Sequence, residues 1–167
     1  IGELSAGLRI AARQGLAIVP RGGGLSYTGG YVADRADALM VDLSGMNQIL
    51  DIDPVDMTVT VEAGCTWHAL YEALHPMGLR APVWGTLSGL HAAVGGGASQ
   101  NGTFWGAARG SIAQSVLRYS VVLADGRVID TGSDFFRGFG PDVTGLFGSD
   151  CGALGIKAHV TLPLQQE

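Results

Sequence analysis

Near the start of the chain, Pro20-Arg21-Gly22-Gly23-Gly24-Leu25-Ser26-Tyr27-Thr28-Gly29-Gly30 combines close-approach backbone with hydrogen-bond donors, as a phosphate site requires. Glycine lacks a Cβ and reaches positive φ, so Gly22, Gly23 and Gly24 can turn successive N–H groups into one concavity suited to a phosphate or pyrophosphate. Ser26, Tyr27 and Thr28 add hydroxyls at the rim, and the charge of Arg21 would offset an anion's. On this reading Gly23→Val fills the nest. A glycine-rich surface turn has the same composition, so the loop alone leaves both readings open. Its spacing excludes two common phosphate loops. No Lys-Ser/Thr pair follows the last glycine, as a Walker loop requires. No helix opens at the loop as in a dinucleotide fingerprint; a second glycine pair, a polar stretch and the apolar run Leu39-Met40-Val41-Asp42-Leu43 follow instead.

Glycine recurs in two later clusters, 85–110 and 138–155, and its 27 occurrences in 167 residues are about twice the usual share. The excess has no period, which excludes collagen-like and solenoid structure. Three clusters far apart in sequence suggest three backbone segments converging on one ligand. In the second cluster Gly85, Thr86, Ser88, Gly95, Gly96, Ser99 and Asn101 alternate small residues with hydrogen-bonding ones. A short helix over 92–100 would turn its first N–H groups toward an anion.

Ordinary elements must position these clusters. Residues 1–14 read as a helix with Leu4, Leu8, Ala11 and Ala12 on one face, closed by Gly15. Strands are expected at 16–19, ending where the glycines begin, and at 39–43, 49–53 and 58–63. Thr66 caps a helix over 67–75. The pattern then predicts a strand over 116–123, a hairpin turn at Asp125-Gly126, and a closing strand over 157–162.

Composition narrows the function classes. Forty-seven per cent apolar residues suffice for a core, no run reaches the roughly 20 apolar residues of a membrane helix, and no signal segment opens the chain. Ten Lys and Arg against fifteen Asp and Glu argue against nucleic acid. An acidic protein that binds an anionic cofactor does so through backbone N–H groups. Cys65 and Cys151 are too few for a disulfide framework or a zinc site and read as reduced core thiols of a cytoplasmic protein. His68, His75 and His159 read as structural or surface histidines, and His91 as a hydrogen-bonding one. Trp67, Trp84 and Trp105 could stack on a ring, with core packing the reading for at least two.

Taken in order, four motifs resemble a known family: Pro20 to Gly24 with Gly29-Gly30; Val94-Gly95-Gly96 with Ser99-Gln100-Asn101 and Arg109-Gly110; Val122-Leu123-Ala124-Asp125-Gly126; and Leu146-Phe147-Gly148-Ser149 through Gly152-Ala153-Leu154-Gly155-Ile156 to Thr161-Leu162-Pro163. Together they resemble the FAD-binding domain of the vanillyl-alcohol oxidase, or p-cresol methylhydroxylase (PCMH), type, in particular the flavin subunits of glycolate oxidase and D-lactate dehydrogenase. The resemblance implies an α+β fold with mixed sheets flanked by helices, in two subdomains, 1–45 and 46–167, that clamp FAD. It implies that Arg21, Gly22, Gly23, Gly24, Leu25 and Ser26 hold the pyrophosphate. Gly85, Thr86, Ser88, Val94, Gly95, Gly96 and Ser99 would pass the ribityl chain and flavin, and Gly152, Gly155, Ile156 and Val160 would lie along the adenosine. Leu25 and Ser26 stand where members with covalent FAD often carry a His, so non-covalent FAD is implied. The implied activity is oxidation of a CH–OH substrate, a 2-hydroxy acid or other alcohol, by hydride transfer to FAD. The substrate domain that usually follows is absent from this chain, and no residue stands out as a catalyst. A non-catalytic nucleotide-binding or electron-relay module, or a relative of UDP-N-acetylmuramate reductase, are the alternatives.

Overall fold

The computed structural model describes every residue except 85–87, 104, 105 and 139, and only the backbone of residue 107. Helix α1 spans Gly2–Arg13 and buries Ser5, Leu8 and Ala11. Its apolar face is rotated from the expected one, since Ala12 is exposed and Ser5 is inside. Ser5 earns its burial by donating from Oγ to the Gly126 carbonyl (2.5 Å), which docks the helix on a distant hairpin turn.

Strand β1 (Ala17–Arg21) pairs in parallel with β2 (Ala38–Asp42) in a two-stranded sheet. It runs two residues further than the sequence suggests, through Pro20 and Arg21, because an edge strand tolerates a residue without an N–H. The first glycine loop therefore leaves the carboxyl end of a parallel strand.

A larger antiparallel sheet has the order β3-β4-β8-β6-β7, built from β3 (Ile49–Asp53), β4 (Thr58–Glu62), β6 (Arg118–Val122), β7 (Val128–Asp130) and β8 (Ile156–Pro163). The closing strand of the sequence is thus the sheet's centre. One face carries Val59, Val61, Tyr119, Val121, Val160 and Leu162 into the main core, against Trp67, Leu70 and Leu74 of helix α2 (Trp67–Leu74). That helix starts at Thr66, whose hydroxyl accepts the Ala69 N–H (3.1 Å). The other face places Val122, Ile156 and Ala158 against Leu8 and Leu43, joining the large sheet to α1 and β2.

The change of face within β8 has a local cause. Ser120 pairs with His159 but Val121 pairs with Lys157, so Ala158 is an extra, bulged residue. A bulge reverses the alternation on either side of it. It turns Lys157 to the face of Tyr119 and Val121.

The remaining elements are β5 (Leu79–Arg80) paired with β9 (Gln165–Gln166), and the short helices α3 (Val94–Gln100), α4 (Ile112–Ser115) and α5 (Val143–Phe147). No helix among the described residues is long and apolar enough to cross a membrane.

Candidate functional site

A cavity of about 410 Å³ opens between the first glycine loop, α3 and the loop preceding β8. That volume falls within the roughly 300–1,000 Å³ of small-molecule sites. Each wall comes from one of the three glycine clusters. The first contributes Gly22, Gly23, Gly24, Leu25 and Ser26, with Tyr27, Thr28 and Tyr31 at the rim. No acceptor among the described residues takes the N–H groups of Gly23, Gly24 or Leu25, so these donors remain for a ligand.

The glycines serve two distinct ends. A Cβ on Gly23 would sit 2.0 Å from the His91 carbonyl oxygen, so this glycine lets the first loop seat against the second. It does not keep the cavity open, and Gly23→Val would wedge the two loops apart instead of filling a nest. Gly96 behaves oppositely: a Cβ there meets no protein atom within 4 Å, and the residue lines the cavity.

The second wall is α3 with its flanks, including Gly95, Gly96, Ser99, Gln100 and Asn101. Two of the N-terminal donors differ from the expectation. Val94 N–H is spent on the Cys65 carbonyl and Gly95 N–H on the Ala63 carbonyl, both at 2.8 Å, because the helix start is stitched to the end of β4. Asn101 ends the helix in the left-handed region, φ 54°, and its buried Oδ1 has no hydrogen-bond partner among the described residues.

The third wall is the loop carrying Cys151, Gly152, Gly155 and Ile156, with Lys157 where it enters β8. Lys157 escaped the sequence reading because a lysine in a strand ordinarily faces water, and only the bulge at Ala158 turns it inward. Its side chain is 2% exposed and is paired with Asp150, 3% exposed. Desolvation lowers the ammonium's pKa, and the hydrogen bond and charge of Asp150 oppose that shift. Cys151 is exposed on the cavity wall and is not a core thiol; Cys65 is buried, and desolvation pushes it to about 11.

Other sequence candidates fall elsewhere. Arg21 lies outside the cavity lining and pairs with Asp42 (2.7 Å), so its charge is answered within the protein. Val94 and Val160 are fully buried in the main core, and Ser88 is outside the lining. Gly85, Thr86 and Trp105 lie outside the described residues. Trp67 and Trp84 pack on one another, centroids 5.9 Å apart, away from the cavity. His91 exposes its side chain, and its carbonyl lies against Gly23 of the first loop. His75 is an exposed partner of Glu167 (2.5 Å).

The donor set fits an anionic, elongated cofactor: unspent N–H groups on one wall, and on the next a glycine, Gly96, whose Cβ would enter the cavity. Comparison with known proteins agrees. Residues 1–132 match the family model described as FAD binding domain. The chain is 31% identical over 164 residues to D-lactate dehydrogenase [cytochrome] 1, mitochondrial, of Saccharomyces cerevisiae, covering 96% of this chain and 27% of that protein. It is 32% identical over 164 residues to glycolate oxidase subunit GlcD of Bacillus subtilis, covering 97% and 34%. Among solved structures, an alkyldihydroxyacetonephosphate synthase superposes with a TM-score of 0.84 at 20% identity, over 98% of this chain and 32% of that one. The chain spans about a third or less of each of these proteins.

Proposed function

Because the chain belongs to the FAD binding domain family, we propose that it is the cofactor-holding part of a flavin enzyme that oxidises a 2-hydroxy acid. The substrate class is supported by the names of two relatives, which specify lactate and glycolate. The observation that carries the cofactor reading is the meeting of three glycine-rich walls around donors that the protein leaves unspent.

FAD, when bound, supplies a ring that accepts a hydride from the carbon bearing the hydroxyl and later yields its electrons to an acceptor. The chain's own part is to bind and orient. Gly23, Gly24 and Leu25 offer N–H groups to the pyrophosphate, Gly96 and Ser99 border the ribityl end, and Gly152, Gly155 and Ile156 line the adenosine half. Backbone donors suit this task because they solvate a dianion without adding a cation to an acidic chain. The smaller subdomain ends near Gly45, and the cleft lies between it and the larger one.

Attachment is non-covalent on this reading, since Leu25 and Ser26 stand beside the loop where members with covalent FAD often carry a His. Acid precipitation therefore releases all the flavin into the supernatant; a yellow pellet overturns this. The function is tested by the visible spectrum of the full-length protein, followed by a panel of 2-hydroxy acids under argon. Flavin bands that bleach with one member support the reading. A colourless protein that takes up no added FAD overturns it.

A further inference from the structure

The loop before β8 holds an unusual backbone. Ser149 (φ 67°), Cys151 (φ 53°) and Gly152 (φ 82°) are all left-handed, and two of the three are not glycine. Such residues persist where their surroundings over-determine them. From outside, the Ser149 N–H donates to the Ala98 carbonyl (3.1 Å) and the Cys151 N–H to the Ser99 carbonyl (3.0 Å), which ties the loop to the end of α3. From inside, Asp150 Oδ1 accepts the Gly152 N–H (2.9 Å) and Oδ2 accepts the Leu154 N–H (3.2 Å). Both carboxylate oxygens are therefore engaged with the segment whose outer side is the cavity wall.

Lys157 donates to the same Oδ1. It occupies a core-facing strand position beside Tyr119 and opposite Val121, where an aliphatic side chain would pack without desolvating a charge. A lysine there has one evident task. A carboxylate is the only side chain that accepts through both oxygens without carrying a donor, yet alone it would put a negative charge behind the adenosine wall, which at Gly152 packs on Pro20 beside the pyrophosphate loop.

We propose that the buried Asp150–Lys157 pair is the positioning device of the cofactor site, in which Asp150 holds the left-handed wall in shape and Lys157 cancels its charge so that the wall accepts an anionic cofactor. The inference rests on the FAD reading above. The other titratable groups acting on the pair are the Cys151 thiol and the Tyr119 hydroxyl, and Arg137 in turn acts on Tyr119. The α3 helix contributes none, and β1 contributes only Arg21, paired with Asp42.

The test measures FAD affinity of the full-length apoprotein, wild type and Lys157→Met, across about pH 5.5 to 8, a range in which an unpaired buried carboxyl takes up its proton. Lys157→Met binds FAD about tenfold or more weakly at the alkaline end, the worth of one charge-assisted interaction. Its affinity recovers in part at the acid end, where the neutral carboxyl no longer repels the anion but accepts through one oxygen only. A variant-to-wild-type ratio that stays the same across the range overturns the proposal, because a purely structural defect has no reason to recover on protonation. If circular dichroism shows Lys157→Met unfolded, the double variant Asp150→Asn/Lys157→Met decides, since it strands no charge. It binds FAD more weakly than wild type with a pH-independent ratio, as Asn offers one acceptor where two are needed; wild-type affinity overturns the proposal. A wild-type protein that takes up no FAD is a different failure, which removes the cofactor reading itself.

Discussion

At the scale of single residues, Gly96 and Gly23 separate cofactor binding from folding. Gly96 lines the cavity with nothing in front of its absent Cβ, and in a helix Val and Gly differ by less than about 0.5 kcal/mol. Gly96→Val therefore leaves the apoprotein's melting temperature nearly unchanged while FAD affinity falls by at least about tenfold, a loss of roughly 1.4 kcal/mol. Gly23→Val must displace the His91 carbonyl, which its Cβ would approach to 2.0 Å. Overpacking of that kind costs about 1–3 kcal/mol, so this variant loses stability and FAD together. Calorimetric melting of both apoproteins, paired with FAD titration, checks the contrast. Normal FAD affinity in Gly96→Val would mean that the cofactor does not pass this face of α3.

At the scale of elements, what could be read in advance was whatever the chain decides locally. Thr66 opening α2 and the Asp125-Gly126 turn between β6 and β7 depend on residues a few positions apart, and both are present. The glycine clusters likewise declared themselves, because close approach and left-handed backbone demand that residue. What stayed illegible is non-local. That β8, last of the long strands, lies between β4 and β6 depends on pairings about 40 and 100 residues away. The bulge at Ala158 follows from that pairing, and Lys157 faces inward only because of the bulge. The state of the first donors of α3 is illegible for a related reason: a helix end presents free N–H groups only if no neighbouring carbonyl reaches them. Here Cys65 and Ala63, at the end of a strand some 30 residues earlier, reach both. The register that sets Arg21 opposite Asp42 in a parallel pair likewise cannot be read from either segment alone.

At the scale of the whole molecule, the cavity is bounded mainly by three segments that meet only after the chain has folded, 20–31, 92–103 and 151–157, with Leu43 and Ala63 between them. The bonds that hold them together are few. They include the Gly23 contact with His91, the two loop bonds onto Ala98 and Ser99, and the packing of Gly152 on Pro20, where an added Cβ would lie 2.6 Å from the ring. The donors of the first segment are unspent until a ligand arrives. A ligand that touches all three adds contacts absent from the unfolded chain, so it stabilises by mass action: about 2.7 kcal/mol at a free concentration of 100 times Kd. For a domain of this size that corresponds to a rise in melting temperature of about 5–11 °C. The sharper readout is where protection appears. Amide exchange with and without FAD should slow together at Gly23–Leu25, around Gly96–Asn101 and at Cys151–Ile156, while the β3–β4 hairpin, which lies outside the cavity lining, exchanges as before. Slowing confined to the first segment would show that the glycine loop binds the cofactor alone and that the other two walls only happen to lie near it.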